Sequence, residues 1–177
     1  MKEILDPIVD FYKMHNRKEK IFYVLIPTFV GVISYTISIL VHGKNGFFLP
    51  HFSQDFINQL ITMLTLFVSF TMTYLSIIIS SNSDNINDLK STLSIKYWIK
   101  KKGDCSLYNI LINQITYGLT IEIFFLLFVI FEKFVMHMVD YSYLKIILAI
   151  DLALFVHILI IMLLVIKDIY FSFWQSK

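Results

Sequence analysis

The sequence predicts an all-α integral membrane protein, a four-transmembrane-helix bundle with both termini cytoplasmic. Three observations lead there. Hydrophobic residues make up 57% of the 177 residues, against roughly 45–50% in an ordinary soluble domain. They gather into four long blocks, which the charged residues, 16% of the chain, almost entirely avoid. Lysine and arginine alternate between rich and poor in the segments that join the blocks.

Residues 1–20 form the first element. Ile4, Ile8, Phe11 and Tyr12 recur at helical spacing, with Lys2, Asp10, Lys13 and Arg17 elsewhere on the wheel. That pattern predicts a cytoplasmic amphipathic helix at the inner membrane interface; the plainer alternative is a basic tail that only sets topology. A span needs about 20 apolar residues to cross about 30 Å of hydrocarbon. The first runs over 21–41, and the polar, basic stretch before it argues against a cleavable signal. Pro27 lies inside it, where a membrane helix tolerates a kink. Its remaining pattern reads as lipid-facing.

The link 42–55 combines His42, Gly43, Gly46, Pro50 and His51 with apolar Phe47, Phe48 and Leu49. It reads as a turn dipping back to the interface. Two histidines without a third ligand make no metal site, and no cofactor is expected. The second span covers 56–80. The link 81–106 predicts a short basic amphipathic helix, started by Ser83 or Asp84 and carried by Ile86, Leu89, Leu93, Tyr97 and Trp98. Gly103 would stop it. Lys90, Lys96, Tyr97, Trp98, Lys100, Lys101 and Lys102 then suit an anionic lipid surface or a cytoplasmic protein partner, unless the lysines serve topology alone. The third span covers 107–131, the link 132–143 reads as an exposed turn, the fourth span covers 144–166, and 167–177 is a cytoplasmic tail. Cys105, the one cysteine, is expected to be a free cytoplasmic thiol, with acylation beside the membrane as the other reading.

Orientation follows from the basic residues. The N-terminal segment holds Lys2, Lys13, Arg17, Lys18 and Lys20, and the first link only Lys44. The middle link holds Lys90, Lys96, Lys100, Lys101 and Lys102. The third link holds Lys133 with Lys145 at its edge, and the tail Lys167 and Lys177. Placing the termini and the middle link inside satisfies every count.

Polar residues within the spans are the candidate functional positions. Asn58, Thr62, Thr65, Ser69, Thr73, Ser76 and Ser80 follow at steps of three and four, forming one stripe along the second span. Such a stripe makes a polar helix seam against other spans or a second subunit, or lines a pore. The third span carries Gln114, Gly118 and Glu122 on one face; the fourth carries Asp151 and His157. With both spans centred in the bilayer, Glu122 and Asp151 fall at one depth. Two acids there without a basic partner keep at least one proton between them, with His157 as a candidate to share it. Glu122, Asp151 and His157 therefore form a candidate intramembrane proton or cation site, or else a hydrogen-bonded structural group.

No phosphate-binding loop, nucleophile motif or metal-ligand spacing is present, so enzyme activity is not expected. The size, the four spans and the cytoplasmic ends resemble the small four-span membrane proteins of bacterial antiphage defence loci, the membrane subunit of the Kiwa system among them. That resemblance is one of layout, covers no residue motif and transfers no residue role. It implies a homo-oligomer in the cell inner membrane that acts with a cytoplasmic nucleic-acid-binding partner. This chain itself is not expected to touch nucleic acid. The expected function is thus an oligomeric inner-membrane component of antiviral defence that senses, anchors a partner or forms a pore. The alternatives are a small proton- or cation-coupled channel or transporter subunit, and a purely structural assembly subunit.

Overall fold

A computed structural model of the chain describes residues 2–42, 48–99, 103–138 and 141–174. Among these residues the chain is mainly helical. Helices α1 (Lys2–Met14), α2 (Arg17–His42), α3 (Phe48–Ser80) and α4 (Asp84–Ser91) precede a two-stranded hairpin, β1 (Leu93–Ile99) and β2 (Gly103–Ser106). Helix α5 (Leu107–Val135), one 3-10 turn (Met136–Met138) and helix α6 (Tyr141–Trp174) complete it.

The long helices outrun the apolar blocks that announce them. α3 starts at Phe48 rather than at 56, taking in much of the expected turn. Pro50 permits this because it sits in the first helical turn, where a missing N–H breaks no intrahelical bond. α6 has 34 residues and reaches Trp174, so most of the expected tail is helix; no Gly or Pro interrupts it. At about 1.5 Å per residue it is roughly 50 Å long, more than the hydrocarbon layer requires. Three stretches, Arg17–Leu40, His51–Ser80 and Tyr143–Tyr170, are long and apolar enough to cross a membrane. α5 is the enclosed helix, with α1, α3, α4 and α6 all against it.

α6 lies between α2 and α5, and α5 between α6 and α3. Gly31 lets α2 approach α6 closely. A β-carbon there would stand 3.0 Å from the Ala149 carbonyl oxygen and 3.2 Å from the Ala153 β-carbon. Small residues at such a contact bring backbones together and gain packing where no water drives association. α2 therefore has a packed face as well as an exposed apolar one. Ile57, Leu60, Leu64, Phe125, Val129 and Ile158 close the centre between α3, α5 and α6. Outside, Phe29, Leu40, Phe70 and Phe131 are each 60% exposed or more, a surface suited to lipid rather than to water.

One end of the bundle carries a base. Ile86 and Leu89 of α4 pack with Ile78, Leu111 and Ile115. Met14 of α1 packs with Cys105 and Ile110. Cys105 is thus a buried thiol.

Candidate functional site

The base departs from the single helix expected over 81–106. α4 ends at Ser91 because Thr92 turns extended, with φ −80° and ψ 116°. The following Leu-Ser-Ile-Lys-Tyr-Trp-Ile run alternates and is rich in β-branched and aromatic residues, which favours a strand over the continuation of an eight-residue helix. β1 pairs antiparallel with β2, Ile99 opposite Gly103, so Gly103 opens a strand rather than ending a helix. Ser106 then caps α5, its hydroxyl accepting from the Asn109 N–H at 3.2 Å. Lys90 lies over the Tyr108 ring, 5.1 Å from its centroid. Lys96, Tyr97 and Trp98 fall on β1; Lys100, Lys101 and Lys102 lie outside the described residues.

The hydroxyl stripe is real, and it faces outward. Asn58, Thr62, Thr65, Ser69, Thr73, Ser76 and Ser80 are all exposed, whereas Ile57, Leu60, Leu64 and Ile78 of the same helix are buried. The stripe is therefore no seam between the helices of one chain. Thr62, Thr65, Ser69, Thr73 and Ser80 each donate to the carbonyl four residues back, at 2.8–3.0 Å.

The three candidate intramembrane residues do not meet as one group. Asp151 lies beside Glu132 instead, and both are buried, Asp151 at 1% and Glu132 at 6% exposure. None of their four oxygens has a hydrogen-bond partner among the described residues. Two carboxylates only accept, so a hydrogen bond between them requires that one keep its proton. Glu132 and Glu122 are ten residues apart on α5, which puts the pair about 15 Å along the axis from Glu122. Glu122 and Asp151 would share a depth only with both helices centred alike, whereas the chain sets Glu132, not Glu122, beside Asp151. The actual register comes from the short connection after Val135, and Glu132 belongs to the core rather than to an exposed turn. His137's side chain and Asp140 lie outside the described residues.

Glu122, 1% exposed, is held by α3: the Thr71 hydroxyl donates to its Oε1 at 3.2 Å, while Oε2 has no partner. Two turns away, Gln114 is fully buried with neither amide atom partnered. Gly118 lies between them on the same face, and together they line a cleft of about 260 Å³ walled by α3 and α6.

His157 belongs to a third arrangement. Its Nδ1 lies 3.0 Å from the Tyr23 carbonyl oxygen and its Nε2 2.8 Å from the Tyr117 hydroxyl. A carbonyl only accepts, so Nδ1 carries the proton and Nε2 accepts from Tyr117. The sequence explains the first bond. Tyr23 would ordinarily receive the N–H of residue 27, but residue 27 is proline and has none. His157 supplies the donor that Pro27 lacks. Phe11 of α1 stacks on Tyr117, centroids 3.9 Å apart and planes at 4°, and the Tyr12 hydroxyl lies 3.4 Å from that of Tyr117. One histidine thus ties α6 to α2 and α5 where α1 docks.

Sequence reasoning passed over Tyr117, Thr71, Glu132 and the use of Pro27. Only Pro27 carried a readable signal, since a helix proline always leaves a carbonyl to be satisfied. His51 is exposed on α3, His42 lies at the end of α2, and no group of metal-binding side chains forms among the described residues. Comparison with protein-family models, curated proteins and solved structures finds no match to this chain.

Proposed function

We propose that the chain is a non-enzymatic, oligomeric component of the bacterial inner membrane, with α2, α3, α5 and α6 as four spans and both ends cytoplasmic. Its base, built from α1, α4 and the hairpin, anchors or senses a cytoplasmic protein partner. This is the arrangement implied by the likeness in layout to antiphage-defence membrane proteins. The observation that carries the assembly is the outward stripe of α3. An unbroken line of small hydroxylated residues on the outside of a membrane helix lets a second helix backbone approach it. The basic middle link supports the orientation.

Cross-linking tests the assembly. In a Cys105→Ala background, single cysteines at Thr62, Ser69, Thr73 and Ser76 are expected to join two chains in the membrane under mild oxidation. Cysteines at Met63, Leu66, Phe70 and Ile77, on other exposed parts of α3, are expected to join them poorly. Equal yields at both sets would remove the stripe as the interface. Charge reversal of Lys100, Lys101 and Lys102 to Glu is expected to abolish recovery of the partner, and unchanged recovery would move the dock elsewhere.

The buried acids favour a second reading, a proton- or cation-coupled channel or transporter subunit. Ionisable groups inside membrane segments mark such pathways. Reconstituted liposomes decide it: Glu122→Gln is expected to abolish flux, and flux equal to wild type refutes a role for that residue.

A further inference from the structure

The cleft on α5 contains two polar groups that the fold leaves unanswered. Gln114, Gly118 and Glu122 stand at steps of four on one face. Gly118 has no side chain, and the Ile161 Cγ2 methyl of α6 packs against it, 3.4 Å from where a β-carbon would stand. The outer walls are Phe70, Thr71 and Tyr74 of α3 and Ile161, Met162 and Ile166 of α6. Phe70 and Ile166 are 67% and 58% exposed, so the mouth opens sideways between α3 and α6, which touch only lightly.

What fills the cleft beside Glu122 must satisfy its Oε2, which has no partner; the Gln114 amide, also without a partner, stands about 12 Å further along the helix. An unpaired buried amide costs about 1–3 kcal/mol, and a buried carboxylate without a counter-charge costs more. None of the lining residues is basic, so the chain offers no cation of its own. Water answers only part of the need. About 260 Å³ would take roughly eight waters at ~30 Å³ each, and each needs two to four polar partners. The walls supply Glu122, Gln114, Thr71 and Tyr74 and are otherwise apolar. The fitting occupant has a cationic donor head and an apolar body.

We propose that this cleft binds an aliphatic primary ammonium group, its N–H donors directed at Glu122 Oε2 and its alkyl chain leaving between Phe70 and Ile166. An ammonium offers three donors and the charge that Glu122 lacks. The head group of an amine-bearing lipid and a free long-chain amine carry the same chemistry. Chain assembly plays no part in this binding, so it can fail while the oligomer stands, and the reverse.

Native mass spectrometry of the full chain in detergent tests it with dodecylamine, dodecanol and dodecyltrimethylammonium as probes. One dodecylamine is expected to stay bound per chain. Dodecanol lacks the charge and dodecyltrimethylammonium lacks the N–H donors, and each is expected to bind at least tenfold more weakly. Glu122→Gln is expected to weaken dodecylamine at least tenfold and leave dodecanol unchanged. Dodecylamine and dodecanol binding equally, an unaffected Glu122→Gln, or no retention of any probe overturns the proposal, the last leaving a hydrated cleft. Nanodiscs identify the source: phosphatidylethanolamine competing with dodecylamine, where phosphatidylcholine does not, assigns the head group, and dodecylamine binding equally in both assigns a free amine.

Discussion

His157 and Pro27 should be energetically coupled although one lies on α6 and the other on α2. His157→Leu removes two bonds at once. The Tyr23 carbonyl loses its donor at 3.0 Å and the Tyr117 hydroxyl its acceptor at 2.8 Å. Each buried group left unpaired costs about 1–3 kcal/mol, although inter-helix hydrogen bonds in membranes average nearer 0.6 and reach about 1.7 kcal/mol. The expected loss is therefore about 2–4 kcal/mol. Pro27→Ala restores an N–H that the Tyr23 carbonyl can accept from within its own helix. In that background His157→Leu should cost about 1 kcal/mol less, because one orphan has disappeared. Tyr117→Phe is the control, since it breaks only the bond to the other ring nitrogen and should add independently to Pro27→Ala. Reversible unfolding in mixed detergent micelles, followed by circular dichroism, measures all of these. Additivity of Pro27→Ala and His157→Leu within about 0.5 kcal/mol, the usual margin for independent sites, would refute the donor-replacement account.

Three further outcomes are expected from the same measurement. Gly31→Leu places a side chain against the Ala149 carbonyl and the Ala153 β-carbon, at 3.0 and 3.2 Å from a β-carbon, and should destabilise by about 1–3 kcal/mol through overpacking; an unchanged stability would mean that α2 does not seat on α6 there. Phe11→Ala removes a fully buried ring stacked on Tyr117, at about 3–5 kcal/mol. Release of α1 should then speed maleimide labelling of Cys105, which packs beneath Met14; slow labelling in both proteins would argue against that docking. Glu132→Gln keeps a donor for Asp151 and should stay within about 1 kcal/mol of wild type, while Glu132→Leu strands the acid and should cost about 3 kcal/mol or more. Equal stability of the two variants would break the pairing.

The long helices were legible because their signal is length and apolarity, which neighbours do not alter. Their ends were not, since a helix does not stop where the membrane does: α6 continues through Lys167 and Asp168. The hairpin was misread because Ile86, Leu89 and Leu93 satisfy a helical period while the run from Leu93 alternates, and the extended Thr92 decides between them. The α3 stripe could be read residue by residue, but not which way it faced. That depends on the buried row Ile57, Leu60, Leu64 and Ile78, equally periodic in sequence. Glu122 and Asp151 were correctly marked as buried acids and wrongly paired, because pairing depends on helix register, which the composition of either helix alone leaves open.

The outward stripe also shows why stability is the wrong measure of its purpose. A polar face turned toward lipid ordinarily carries an unpaired-group penalty that a partner would relieve. Here that penalty is largely absent, since five of the seven residues return their hydroxyls to their own helix. Replacing them by Leu should therefore leave the single chain about as stable as before. What such a change removes is shape: small side chains leave room for a second backbone, and larger ones fill it. If α3 is the contact between chains, Thr65→Leu with Ser69→Leu will dissolve the oligomer and spare the fold. Loss of the fold along with the oligomer would instead mean that these residues support their own chain, which their exposure argues against.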